Sequence, residues 1–266
     1  MTLAAVLLAV LMTSGPLPDH WEADYAGTIG SSRVRMNLWR NGTRVEGYYL
    51  YESRYVTIDL AGTIDKDRKL RLTEKGRQGR SKEVFSGQLE EDRFEGNWSP
   101  RGQGKKRKFS LLHQESAWTA PASWRRFERE GCPVTFLFPG KWRPHDREGA
   151  TVLDEITNVY DDGLSITWGR SPAVPEPYEL RGDRWYLNGE NGPAPATDSL
   201  HVSGLRVSRD DRPCRMYSAR GYQGLGDCAC ALVRIGDSWV VLDSQGQRYA
   251  PALDLILSTL QPAAGR

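Results

Sequence analysis

Arg33 to Tyr51, RVRMNLWRNGTRVEGYYLY, is the stretch that decides the fold. Val34, Met36 and Leu38 alternate with Arg33, Arg35 and Asn37, the period of two of a strand with one buried face. Asn41-Gly42 follows, the strongest short hairpin signal, because both turn positions take positive φ. Arg44 to Tyr51 then returns as a second strand.

The same punctuation runs outward from Asp24 to Gln114. Val56, Ile58 and Leu60 alternate, and Asp65 to Arg68 turns the chain into Leu70 and Leu72. Gly76 to Gly79 leads into Phe85, Gly87 and Leu89; Glu90-Glu91-Asp92 leads into Phe94, Gly96 and Trp98; Pro100 to Gly104 leads into Phe109 and Leu111. About eight strands at roughly 8–12-residue spacing, with almost no helix signal, predict a small barrel or sandwich. A short unit recurs: Tyr25-x-Gly27, Val45-x-Gly47, Leu60-x-Gly62, Phe85-x-Gly87 and Phe94-x-Gly96. Glycine at such positions serves strands that bend sharply or let a large side chain cross the backbone. One copy per strand predicts curved strands closing on themselves.

The Tyr-x-Gly-Thr-Ile-Gly start, the Val-x-Gly-Tyr-Tyr return and the final Phe-x-Gly-x-Trp resemble the β-meander modules of exported bacterial proteins. Their style is similar to calycin and streptavidin-like barrels. This resemblance covers residues 24–114 and implies a β-meander barrel. The polar pocket motif of the biotin binders is not visible, so no ligand-binding residue set comes with it.

Residues 115–130, ESAWTAPASWRRFERE, read as a linker, and a second domain begins at residue 131. Val134, Phe136 and Phe138 alternate up to Pro139-Gly140. Further strand candidates are Leu164 to Trp168, Trp185 to Leu187, Val202 to Val207, Arg215 to Tyr222, Ala229 to Ile235 and Trp239 to Leu242. Leu253, Ile256, Leu257 and Leu260 fall on one helical face at spacings of three and four, between Gly246 and Pro262. The order Phe-x-Phe-Pro-Gly-x-Trp, strands, amphipathic helix resembles the α+β fold of PsbP-like exported proteins, over residues 131–262. That resemblance implies accessory or assembly roles. The proline-rich stretch from Ser171 to Asp198 fits it less well and is expected to be an insertion or extended loop.

The expected fold is therefore mainly β: a barrel domain at residues 19–114, a linker at 115–130, and an α+β domain at 131–266 with a terminal helix. Cutting near Ala120 to Ser123 is expected to give two separately folding halves.

Leu3 to Met12, LAAVLLAVLM, is too short to span a bilayer, which takes about 20 helical residues. It has the length of a signal-peptide core, although no Lys or Arg precedes it. Residues 1–18 are read as a signal and the product as periplasmic or secreted. The first cysteine is Cys132, so the reading includes no lipid anchor and no membrane span. Net charge is +2, with 39% hydrophobic and 26% charged residues. That balance gives no electrostatic argument for nucleic acid. The one basic cluster, Lys105 to Lys108, reads as a solvated strand end.

Four cysteines, Cys132, Cys214, Cys228 and Cys230, all lie in the second half. In an exported chain an even count suggests disulfides. Four readings stay open: Cys214 bonded to Cys228 or Cys230 with Cys132 taking the other, a strained Cys228–Cys230 redox pair, a metal site with Cys214 as third ligand, or free buried thiols. Gly221 to Gly226 reads as the turn between two strands and not as a phosphate loop, since no helix follows. The four histidines, His20, His113, His145 and His201, sit in no nucleophile or metalloprotease motif. No catalytic, cofactor or metal residue is assigned. Among the aromatics, Tyr48, Tyr49, Tyr51 and Trp98 are the candidate binding surface, because Tyr and Trp anchor interfaces as well as cores. The expected function is non-enzymatic: an accessory, inhibitor or immunity-type factor binding a protein or envelope ligand. A small-molecule carrier using the barrel interior and a hydrolase-type enzyme in the C-terminal domain are the alternatives.

Overall fold

The computed structural model describes residues 18–75, 82–99, 105–115, 118–147, 149–154, 163–171, 177–189, 192–196, 199–218, 221–244 and 247–264. For residues 82–84, 147, 189, 212–218, 221–227 and 247 it describes the backbone alone. The expected signal core lies outside the described residues.

Eight antiparallel strands close into a barrel in chain order. They are β1 (His20–Ile29), β2 (Ser32–Asn41), β3 (Arg44–Tyr51), β4 (Ile58–Ile64), β5 (Lys69–Glu74), β6 (Lys82–Leu89), β7 (Arg93–Trp98) and β8 (Arg107–Gln114). β1 seals the barrel against β8, with Tyr25 opposite His113 and Ile29 opposite Phe109. The hairpin at residue 42 is present, but its turn sits one residue later than the Asn-Gly reading. Gly42 carries φ +60 and Asn41 stays in β2, so only the first central position is left-handed, as in a type II′ turn.

The recurring x-Gly unit has a steric cause. A β-carbon on Gly27, Gly47, Gly62, Gly87 or Gly96 would overlap the carbonyl oxygen of Ser110, Asn37, Arg71, Glu95 or Ser86 on the neighbouring strand. Each glycine thus marks a place where two curved backbones approach too closely for any side chain. Gly87 and Gly96 face each other across β6 and β7, and the Phe109 ring lies over Gly87. Phe85, Phe94 and Phe109 pack ring to ring inside, at centroid separations of 6.4, 5.2 and 4.6 Å.

The chain forms two compact units whose boundaries interleave. One holds Met1–Ser31, Met36–Gly47 and Asp59–Gln114; the other holds Ser32–Arg35, Tyr48–Ile58 and Glu115–Arg266.

The second unit is also dominated by strands. The stretch read as a linker carries β9 (Arg125–Phe127), which pairs with β10 (Val134–Phe138). Trp124 is buried there, because its indole gains more from packing than from water. A seven-stranded sheet runs β11 (Arg143–Arg147), β12 (Ala150–Asp154), β13 (Leu164–Arg170), β20 (Ser238–Ser244), β19 (Gly221–Ile235), β18 (Leu205–Ser218), β17 (Leu200–Val202). Ala229, Ala231 and Val233 of β19 join the core that contains Leu253, Ile256, Leu257 and Leu260, all fully buried. Those last residues come from α1 (Ala250–Ser258) and its C-terminal end, as their spacing predicts. Cys230 and Leu232, on the alternate face of β19, meet Tyr178, Trp185 and Leu187. The latter belong to β14 (Tyr178–Arg181) and β15 (Arg184–Gly189), which with β16 (Gly192–Pro195) make a small sheet. The described residues of the expected insertion thus carry three short strands. Its prolines 193 and 195 sit on β16, an edge strand, where a missing N–H is tolerated.

Two expectations about this unit change. Gly221 to Gly226 is part of β19, with Gly224 opposite Arg215, so the glycines do not form the hairpin turn. Among the described residues α1 is the one α-helix, and the unit is β-rich with a single helix rather than evenly α+β. Its last strand, β21 (Gln261–Pro262), returns to β10. A two-way clasp also joins residues 191 positions apart: the Thr57 N–H donates to the Arg248 carbonyl at 3.1 Å, and the Arg248 side-chain Nε donates to the Thr57 carbonyl at 3.2 Å.

Candidate functional site

β1 begins, β8 ends and the β6–β7 turn closes at the same end of the barrel, as an up-and-down meander requires. The His113 N–H donates to the Asp92 carbonyl there at 2.7 Å. Between these segments lies a cleft of about 200 Å³ walled by Trp21, Tyr25 and His113 and rimmed by Glu22, Glu90 and Glu91. Tyr25 points inward on β1, is 3% exposed, and packs against His113 at 5.8 Å. Its hydroxyl makes no hydrogen bond among the described residues, and burial pushes its pKa up to about 12, so it stays protonated. The Trp21 Nε1–H is buried without an acceptor. Glu22 accepts a hydrogen bond from Asn37 Nδ2 at 3.2 Å. A second cleft of about 650 Å³ shares Glu90 and Glu91 and adds Lys66, Asp67, Arg68 and Asp92.

The aromatic surface expected from sequence is mostly interior. Tyr49 is 1% and Trp98 8% exposed. Tyr48 packs on the core of the second unit, and Tyr51 lies edge-on to Tyr49 at 5.7 Å. Arg107 covers the Trp98 ring at 5.7 Å. These four side chains supply packing, and none is exposed.

Sequence reasoning missed a denser constellation in the second unit. Arg35 is 8% exposed; its Nε donates to Glu52 Oε1 at 3.0 Å and an Nη2–H to the Thr119 carbonyl at 2.9 Å. Its guanidinium lies 5.7 Å from the Tyr55 ring centroid and 5.2 Å from that of Trp118. Tyr55 sits edge-on to Trp124 at 4.8 Å and holds φ +53, a strained value for a bulky residue. Arg35 Nη1, the Tyr55 hydroxyl, Trp118 Nε1 and Trp124 Nε1 are all buried without a partner among the described residues. The only sequence signal was Arg35 on the outward side of an alternating strand.

Among the cysteines, Cys132 and Cys230 take part in no disulfide, so the pairing that used Cys132 is overturned. Cys132 lies in an apolar core, and burial pushes its thiol up to about 11. The Cys230 thiol donates to the Asp210 carbonyl at 3.6 Å and lies 3.5 Å from the Tyr178 hydroxyl, which donates to Asp210 Oδ2 at 2.9 Å. Desolvation raises the pKa of both Tyr178 and Asp210. Cys228 is disulfide-bonded. The Cys214 side chain lies outside the described ones, and no complete pair is seen among those described.

His145 faces Asp154 at 3.7 Å, while the Thr151 hydroxyl donates to Asp146 at 2.9 Å. Consecutive strand residues alternate in face, so this histidine does not share a cleft with that hydroxyl. A cleft of about 460 Å³ gathers Arg129, Asp146, Thr151 and Trp168 without a histidine. Among the described residues no three His, Cys, Asp or Glu side chains gather as a metal site, and no helix is long and apolar enough to cross a membrane.

No protein-family model, no curated protein and no solved structure matches this chain.

Proposed function

We propose that this chain is an exported binding protein of the bacterial envelope, holding a protein or envelope ligand without turning it over. The observation that carries the reading is the filled barrel. Phe85, Phe94 and Phe109 interlock inside it, and Met36, Leu38, Leu72, Leu89 and Leu111 are fully buried around them. Interiors packed with such rings leave recognition to the rim. That arrangement favours an outward-acting binder over a carrier that swallows its ligand.

Export rests on Leu3 to Met12, and intact-mass analysis of periplasmic protein that still contained Met1 to Gly15 would refute it. The binding reading is tested by two measurements on the mature chain. A fatty acid or fluorescent apolar probe taken up stoichiometrically, and lost on Phe109→Trp substitution, would replace it with the carrier. Reproducible capture of one envelope component, competed by untagged protein, is the outcome expected.

The disulfide reading narrows to Cys214–Cys228. Arg212 pairs with Cys228, and the register is irregular between Pro213 and Arg215, so Cys214 stands at a bulge two residues from that pair. The PsbP-like character of residues 131–262 stays part of the proposal, supported by the position of α1 after the last long strand.

A further inference from the structure

We infer that the cleft at the β1 end of the barrel recognises a lysine side chain presented by a protein partner. The inference rests on the binding-protein reading and specifies its site and chemistry.

Three features converge on an alkylammonium group. The walls are aromatic, with Trp21, Tyr25 and His113 offering ring surface that attracts a cation and packs against a methylene stem. The rim is acidic: Glu90 and Glu91 are exposed, and neither pairs with a cation among the described residues. Across both clefts the carboxylates Glu22, Asp67, Glu90 and Glu91 stand against Lys66 and Arg68, four against two, while the fifth lining carboxylate, Asp92, is paired with Arg93 at 3.6 Å. Finally, the Tyr25 side chain lines the cleft 97% buried (3% exposed) with its hydroxyl unpartnered. A protonated phenol lacks an acceptor and a donor here, and an incoming ammonium N–H supplies the donor. A volume of about 200 Å³ suits one extended side chain and excludes a folded ligand. An anionic ligand would meet the rim carboxylates and be repelled.

The test uses the full mature chain and a blocked peptide, acetyl-Gly-Lys-Gly-amide, followed by NMR of the Trp21 indole and His113 resonances. Saturable shifts confined to this end of the barrel are expected. Acetylating the lysine should weaken binding at least tenfold, and so should the double variant Glu90→Gln/Glu91→Gln, whose exposed sites do not threaten the fold. Tyr25→Phe should weaken it about threefold while leaving the salt dependence unchanged. Equal binding of the acetylated peptide, no shift at these residues, or full affinity in the double variant overturns the assignment. If the double variant still captures the envelope partner as well as the native chain, the cleft assignment fails and the binding reading survives.

Discussion

In the barrel, every strand pairs with its neighbour in the chain, and only the β1–β8 seam reaches across. The second unit is built otherwise: in its seven-stranded sheet β20 slots between β13 and β19, and in a three-stranded sheet β10 pairs with β21 from more than 120 residues further on. Both regions bury indole donors that have no partner among the described residues: Trp21 and Trp98 in the barrel unit, Trp118, Trp124 and Trp239 in the second. The second unit adds a buried arginine, Arg35, set against two rings, and a strained tyrosine, Tyr55. Local pairing lets small sequence motifs determine the structure. Long-range assembly places polar groups in environments that no local motif announces.

The sharpest way to break the contrast is at the glycines. Gly62→Val drives a side chain into the Arg71 backbone, which cannot yield as a flexible side chain would. A loss of about 4 kcal/mol or more is expected in urea unfolding. In the second unit, Gly149→Ala meets nothing within 4 Å and suffers only its positive φ, about 1 kcal/mol. Comparable losses would remove the distinction.

Arg35→Ala comes next. It leaves Glu52 half-satisfied in a closed setting, and about 3 kcal/mol should be lost. The exposed Arg44–Glu46 pair, treated the same way, should change stability by less than about 0.5 kcal/mol. Cys214→Ser should cost a similar ~3 kcal/mol, the chain-entropy figure for a loop of about 15 residues. Peptide mapping of unreduced protein that found Cys214 alkylatable would remove the basis for that expectation.

Alkaline titration separates the regions by pH. Cys132 moves from 9.0 to about 11 and Tyr25 from 10.0 to about 12, both by burial. A raised pKa means the folded state holds its proton longer than the unfolded one. The associated stability is intact below pH 9, fades between pH 9 and 11 for Cys132, and between 10 and 12 for Tyr25. Cys132→Ala should flatten the first window and Tyr25→Phe the second, read as stability against pH. The smallest effect belongs to Tyr55→Phe. Removing a buried hydroxyl with no partner should leave stability unchanged or raise it by up to about 1 kcal/mol. A loss of more than that would mean the hydroxyl is satisfied after all.

What could be read in the sequence follows the same division. Alternation at Val34 to Leu38 and the x-Gly unit announced the closed barrel, because pairing between neighbours depends only on local side-chain period. The face of Leu253 to Leu260 announced α1 for the same reason. β9 went unread because three residues carry no period, and the ordered β14–β16 sheet was hidden by prolines that suit an edge strand. Two members of the aromatic set, Tyr49 and Trp98, are buried and Tyr48 and Tyr51 half-buried, because burial on a strand depends on what lies opposite. The cleft at Tyr25 needed β1, β8 and the β6–β7 turn brought together, which no single segment encodes.

The Thr57–Arg248 clasp carries a consequence for biosynthesis. A chain emerging N-terminus first presents Leu50, Tyr55 and Val56 long before residues 247–260 exist to help enclose them. Loops of that length close slowly. A message ending between residues 115 and 246 would yield a product with a full set of barrel strands and an uncovered apolar face at Leu50, Tyr55 and Val56. A chain stopped there should therefore be more open to proteolysis than one that carries residues 247–260.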